Sequence, residues 1–322
     1  MPRVLIADGL GGAGLAILRS AEVEIREVAA DEKGRLGELV AECDALVVRS
    51  TTRVTAELLA ASARLRVVGR AGIGVDNIDV EAATRLGIVV VNAPTANLVS
   101  AAEHTFALLL ALARQVPAAW TSLREGVWDR QAFVGRELAG RCLGLVGFGR
   151  IARLVAARAR AFEMSVVACD PYLEDETFAV HGVRRCELAD LLAVSDVVSL
   201  HLPATAETRN LLGAAELDRM RPGAFLVNCA RGGIVDEAAL FERLESGRVG
   251  GAALDVFEEE PTPRLDLVRH PRVVATPHLG ARTVEAQERM SVEVARQVLL
   301  ALAGSPEASP VNRPPRPRLP AS

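Results

Sequence analysis

Short apolar runs rich in valine, isoleucine and leucine alternate along the chain with longer stretches in which apolar residues recur at helical spacing. Val4–Ala7, Ala45–Val48, Val67–Val68 and Ile88–Val91 predict the strands of a first lobe. Leu143–Val146, Ser165–Cys169, Val197–Leu200, Ala224–Asn228, Gly251–Leu254 and Val273–Ala275 predict those of a second. Strands alternating with helices in this way build parallel sheets covered on both faces. The fold class is therefore α/β, with two Rossmann-like doubly wound parallel-sheet domains. A helix is expected after Asn97, opened by a capping box of Ser100 and Glu103 ahead of the apolar run Phe106–Leu112. Its alanine-rich, apolar composition predicts a connector that also packs on a second subunit. A last helix is expected over about 283–302, ended by Gly304. From Ser305 the chain is rich in proline and arginine, and residues 305–322 are expected to form a disordered tail.

Composition narrows the classes. With 322 residues, half of them hydrophobic and 24% charged, the chain suits about two soluble domains. A net charge of −4 without a basic cluster speaks against nucleic acid as a partner. Cys43, Cys142, Cys169, Cys186 and Cys229 make no C-x-x-C pair or metal spacing, so reduced thiols and no metal are expected. No charged-then-apolar leader opens the sequence, and Phe106–Ala113 is far too short to span a membrane. A cytoplasmic protein without membrane contact is the expectation.

Ligands of such sheets bind outside the carboxyl ends of the strands, and chemistry-bearing residues gather there. Leu143–Ala152 reads LGLVGFGRIA, with Gly147 and Gly149 after an apolar run and a helix opening at Arg150. Glycine permits the tight turn and the close approach of backbone to a pyrophosphate, which the helix N-terminus attracts. Asp170 follows the next strand at the distance where a carboxylate grips a ribose 2′-hydroxyl, which favours NAD over its 2′-phosphorylated form. Further on, Arg231, the acidic run Glu258–Glu260 and His278 each follow a strand exit. An arginine holds a carboxylate with two hydrogen bonds, and a histidine exchanges protons near neutral pH. A carboxylate behind the imidazole orients it and stabilises its charged form. Together these groups suit hydride removal from a 2-hydroxy acid. Asp255, directly after a strand, is placed to meet the carboxamide of a nicotinamide. His104 reads as a packed or interface histidine, His201 as lying near the nicotinamide without chemistry, and His181 and His270 as solvent-facing.

These strings resemble the D-2-hydroxyacid dehydrogenases from Val4 to about Gly304. The more specific ones are Gly69–Pro94, the Asn97–Glu103 hinge, and the strings around Arg231, Glu260 and His278. The resemblance implies NAD as cofactor, Arg231 on the substrate carboxylate and oxo group, and His278 as acid and base. It selects Glu260, next to Pro261, as the supporting carboxylate. Cofactor contacts are implied at Ile73, Gly147, Gly149, Arg150, Ile151, Asp170, Leu202, Cys229, Ala230, Asp255, Gly280 and Ala281. The nearest members act on D-3-phosphoglycerate, which implies substrate contacts at Arg49, Ser50, Arg70, Gly72, Asn97 and Arg130. Arg130 would come from the neighbouring subunit of a homodimer formed through the nucleotide-binding domain. Each of these arginines alone also fits a solvated surface. The resemblance implies a substrate-binding domain of 1–98 and 282–304, an NAD-binding domain of 99–281, and an active-site cleft between them. Many of those members carry a further C-terminal serine-binding domain, and none is expected in this sequence. Ala152, Phe148 and Arg282 depart from the family pattern, Arg282 adding a cation near His278. Two other readings share the same residues: a reductase of small acids such as glyoxylate, hydroxypyruvate or D-lactate, and a cofactor-sensing corepressor.

Overall fold

The computed structural model describes residues 1–318, and the chain divides into two units, Met1–Asn97 with the chain from Ala281 onward, and Leu98–Gly280. The first unit holds β1 (Arg3–Ile6), β2 (Glu24–Glu27), β3 (Ala45–Val48), β4 (Val67–Arg70) and β5 (Val89–Asn92). They form one parallel sheet in the order β2-β1-β3-β4-β5, a doubly wound arrangement. Alternate residues serve opposite faces. Val4, Ile6, Ala45, Val47 and Val67 pack with Val294, Ala295 and Val298 of helix Val284–Leu302, while Leu5, Leu46, Val48 and Val68 meet Leu39, Leu59 and Ala82. Thr283 caps that helix by accepting from Ala286 N.

The second unit holds β6 (Cys142–Val146), β7 (Ser165–Cys169), β8 (Arg184–Arg185), β9 (Val197–Leu200), β10 (Ala224–Asn228), β11 (Val249–Leu254) and β12 (Val273–Ala275). Their order is β12-β11-β10-β9-β6-β7-β8, all parallel. Read from β8, this is the dinucleotide-binding order 3-2-1-4-5-6 with one strand added, and its switch point lies between β6 and β9. Helices Leu98–Ala113 and Arg150–Ala161 cover one face through Phe106, Leu109, Ala152 and Val155. Helices Leu188–Val194, Ala214–Arg219 and Glu237–Glu245 cover the other through Leu191, Leu217 and Leu240.

Three expectations need correction. β2 and β8 escape the apolar pattern because both are edge strands, paired on one side and largely exposed. The long helix starts at Leu98, so Ser100 lies buried inside its first turn and is not the cap; Asn97, a good cap residue type, immediately precedes it. Most apolar side chains of that helix are buried against its own sheet, with Val99 exposed; further exposed apolar side chains follow it, at Val116, Trp120, Leu123, Trp128 and Val134. Residues 305–318 pack on the first unit and do not form a loose tail. Pro310 bridges Val91, Val311 N donates to Val90 O, and buried Asn312 bonds Val90 N, Ile88 O and Thr84 Oγ1. The rest of the expected tail, 319–322, lies outside the described residues.

Candidate active site

The switch point of the second unit carries the glycine turn. Gly147 follows β6 at φ +86°, and a Cβ there would lie 2.5 Å from His201 O just past β9, so only glycine lets the two strand exits approach. Gly149 occupies the cap position of helix Arg150–Ala161, and no side chain caps it. The N–H groups of Arg150 and Ile151 therefore stand in the place that attracts a pyrophosphate. Ala152 is fully buried in the helix–sheet contact, which explains why a small residue suffices there. Phe148 is also buried and stacks on Phe178 with ring centroids 5.0 Å apart, so its bulk is used in the core. Asp170, just past β7, receives Phe148 N at 2.9 Å and Tyr172 N at 3.0 Å. Those bonds hold the carboxylate beside the glycine turn, where it suits a ribose hydroxyl. Leu202 follows β9 on the other side of the switch point.

The catalytic candidates follow three strands that are neighbours in the sheet: Arg231 after β10, Glu260 after β11 and His278 after β12. His278 Nδ1 lies 2.7 Å from Glu260 Oε2, and Glu260 Oε1 accepts from Phe257 N at 3.2 Å. A carboxylate facing Nδ1 requires the proton there, leaving Nε2 as the nitrogen that can take or give one. Arg231 is set by its own turn. Asn228 donates to Arg231 O and accepts from Ala230 N, and Arg231 Nη1 donates to Ala230 O. Gly232 makes that turn possible, since a Cβ there would fall 1.7 Å from Phe257 O. Cys229 lies beside it, and burial pushes its thiol up to about 12, which makes it inert as a nucleophile.

Sequence reasoning placed Asp255 at the cofactor and did not see the groups that hold this arrangement from behind. Asp255, almost fully buried, accepts Thr276 Oγ1, Leu279 N and Gly280 N at 2.5, 2.7 and 2.8 Å, so it anchors the turn that carries His278. Burial alone would raise its pKa, but the bonds from His104, Thr276 and Leu279 outweigh that and lower it. His104 Nε2 stands 3.1 Å from Asp255 Oδ1 and equally far from Thr276 Oγ1. Glu237, also buried, accepts from Glu258 N at 2.6 Å and shapes the loop before Glu260; burial raises its pKa. His201 is held 2.9 Å from Ser199 Oγ, and burial lowers its pKa to about 4, keeping the ring neutral. His270, expected to face solvent, is buried, with its Nδ1 accepting from Arg272 N and its Nε2 3.0 Å from Glu245. Among the described residues no three His, Cys, Asp or Glu side chains form a metal-holding group, and no single helix is long and apolar enough to cross a membrane.

The remaining candidates belong mostly to the first unit. Arg49 and Ser50 follow β3, with Arg49 N bound to Asp8 Oδ2 at 2.8 Å and Asn77 Nδ2 bound to Arg49 O. Burial and the nearby Arg282 charge lower the Arg49 pKa, so the two cations feel one another. Arg70 ends β4 and folds over Gly72, whose missing Cβ would overlap its guanidinium. Ile73 is fixed through its carbonyl by Asn92 Nδ2 at 2.6 Å. Asn97 and Ala281 stand at the two junctions between units, and Arg130 lies in an exposed segment of the second unit.

Comparison with known proteins agrees with this geometry. Residues 106–280 match the family model of the D-isomer specific 2-hydroxyacid dehydrogenase NAD binding domain. The D-3-phosphoglycerate dehydrogenase of Mycobacterium tuberculosis is 50% identical over 312 residues, 97% of this chain and 59% of that protein. The chain thus spans somewhat over half the length of the relatives it matches. Among solved structures, the TT0316 protein of Thermus thermophilus superposes with a TM-score of 0.88 at 36% identity, covering 96% of this chain and all of that one. D-Lactate dehydrogenase of Aquifex aeolicus, complexed with NAD and lactic acid, gives 0.85 at 27% identity over 97% of this chain and 99% of that one.

Proposed function

Because the chain belongs to the D-isomer specific 2-hydroxyacid dehydrogenases, we propose that it oxidises D-3-phosphoglycerate to 3-phosphohydroxypyruvate with NAD, at the entry to serine synthesis. The observation that carries the chemistry is the His278–Glu260 pair at 2.7 Å, one strand away from Arg231 and on the same sheet as the glycine turn. Arg231 grips the substrate carboxylate and polarises the C2 oxygen. His278 Nε2 takes the hydroxyl proton while the C2–H electron pair departs as hydride and C2=O forms. Glu260 keeps the imidazole oriented and balances the charge it gains. Bound NAD supplies the hydride acceptor; Gly147, Gly149, Arg150, Ile151, Asp170 and Leu202 would hold it, with Ile73, Cys229, Ala230, Gly280 and Ala281 as further contacts.

The choice of a phosphorylated acid rests on the 50% identity to D-3-phosphoglycerate dehydrogenase and on Arg49, Arg70 and Arg130 as phosphate ligands, with Ser50, Gly72 and Asn97 lining the substrate. A homodimer through the second unit is supported by the exposed Trp120, Leu123, Trp128 and Val134. The five free thiols fit a reducing cytoplasm. The test is NADH consumption with 3-phosphohydroxypyruvate, hydroxypyruvate and glyoxylate side by side. A large preference for the phosphorylated keto acid is expected. Comparable turnover of the small acids would make the protein a general reductase, and NADH binding without turnover would make it a sensor.

A further inference from the structure

We propose that His104 is a positioning residue for the catalytic turn, acting on His278 through the carboxylate of Asp255. The inference rests on the reading of His278 as the proton-transferring group. His278 adopts φ +54°, a left-handed backbone that a non-glycine residue takes up only when its surroundings hold it there. Three backbone bonds to Asp255 sustain it, beside one from His278 N to Thr276 O at 3.1 Å: His278 N to Asp255 O at 2.9 Å, Leu279 N to Asp255 Oδ1 and Gly280 N to Asp255 Oδ2. The bonds from Leu279 N and Gly280 N, half of those that hold the turn, last only while the Asp255 carboxylate keeps its rotamer.

Two side chains fix that rotamer, Thr276 and His104. The Thr276 hydroxyl spends its proton on Asp255 Oδ1, so it faces His104 as an acceptor. Both oxygens within 3.1 Å of His104 Nε2 thus accept, and Nε2 carries a proton. His104 projects from helix Leu98–Ala113, whose apolar residues are packed into the sheet, and its side chain is only 18% exposed. It is thereby a rigid donor behind a turn that has no regular secondary structure of its own.

The experiment compares H104Q, H104N and H104L in the full chain. Glutamine places an amide N–H near the position of Nε2; asparagine has the same amide one carbon too short, and leucine has no donor. For H104N and H104L, kcat should fall on the order of 10- to 100-fold, the scale of a small misplacement of a catalytic group. The NADH Kd and the KM for the keto acid should change less than about threefold, and H104Q should recover most of kcat. Wild-type kcat in H104N, equal losses in H104Q and H104N, or a loss carried by KM would overturn the inference. Wild-type protein inactive on every acid would defeat the functional reading alone. Positioning is then read from the His278 ring signal in histidine-labelled protein by NMR, sharp in wild type and H104Q and exchange-broadened in H104N. The same signal in all three would overturn it.

Discussion

Replacing Glu260 by glutamine probes the proton path most directly. The carboxylate makes two bonds of fixed polarity, accepting from His278 Nδ1 at 2.7 Å and from Phe257 N at 3.2 Å. An amide has one accepting oxygen, so E260Q cannot satisfy both donors. With the oxygen turned to Phe257, the amide NH2 faces Nδ1, forces the proton onto Nε2 and removes the base. With the oxygen turned to His278, the base survives but two N–H groups oppose one another at Phe257, and the imidazolium loses its counter-charge. A bond to a charged partner contributes about 1.5–3 kcal/mol against about 1 for a neutral one. Both side chains are part-exposed, 48% for His278 and 39% for Glu260, so water screens the pair and the lower end applies. The charge effect alone then gives a few-fold loss, and the reversed tautomer adds to it. The expected kcat for oxidation of the hydroxy acid is about 10- to 100-fold below wild type, with KM changed less than about threefold. Steady-state rates with C2-deuterated substrate should also show a larger isotope effect, since proton and hydride transfer become limiting. In E260A, added formate should restore part of the rate through the exposed space left by the side chain. An E260Q enzyme within twofold of wild type, with an unchanged isotope effect, would refute the assignment of Glu260.

Gly147→Ala should raise the NADH Kd on the order of tenfold, because it places a Cβ 2.5 Å from His201 O at φ +86°, a strain of about 1–2 kcal/mol on the turn; a fluorescence titration matching wild type would contradict this. Asn312→Ala leaves Val90 N and Ile88 O without their side-chain partner, a loss of about 2–4 kcal/mol that urea unfolding should register as a lower midpoint. Glu237→Gln should raise Tm at neutral pH. Burial raises the Glu237 pKa above its ordinary value of 4.5, so the wild type enjoys the full stability of the protonated form below that value and loses it as pH rises through the raised folded value. The variant should keep that stability, and an equal Tm gain at low and neutral pH would count against the buried charge as its cause.

What the sequence made legible follows from what each element buries. Strands β3, β7, β9, β10 and β12 have the expected limits because each is an apolar run ending at a polar residue or a turn. Gly147, Asp170, Arg231 and His278 were legible because each stands at a strand exit in a fold whose ligands bind there. Glu260 was not separable from Glu258 and Glu259 by pattern. The structure separates them through the loop that Glu237 pins at Glu258 N, which turns Glu260 to His278. His104 was hidden for a different reason. Its partner Thr276 lies 172 residues away, and a lone histidine on an apolar helix looks like packing until the opposing carboxylate is placed.

The chain beyond Ser305 shows where composition misleads. Proline and arginine cannot build a core, so such a segment reads as loose. Covering an edge strand asks for much less than a core. β5 is the edge of the first sheet, and an open edge needs only a few donors and acceptors in register to be closed. Val311 donates to Val90 O, Asn312 supplies the acceptor for Val90 N and a donor for Ile88 O, and Pro310 sits where its missing N–H costs nothing. Arg318 then bonds the carbonyls of Ser62 and Leu65, and its own N–H reaches Gly87 O. The prolines restrict the unfolded ensemble of the segment, so ordering it on β5 requires a smaller loss of entropy than its lack of apolar side chains suggests. A segment with almost no hydrophobic signal is thus held by hydrogen bonds to the backbone of the first unit, and only the position of the open edge reveals that it has somewhere to go.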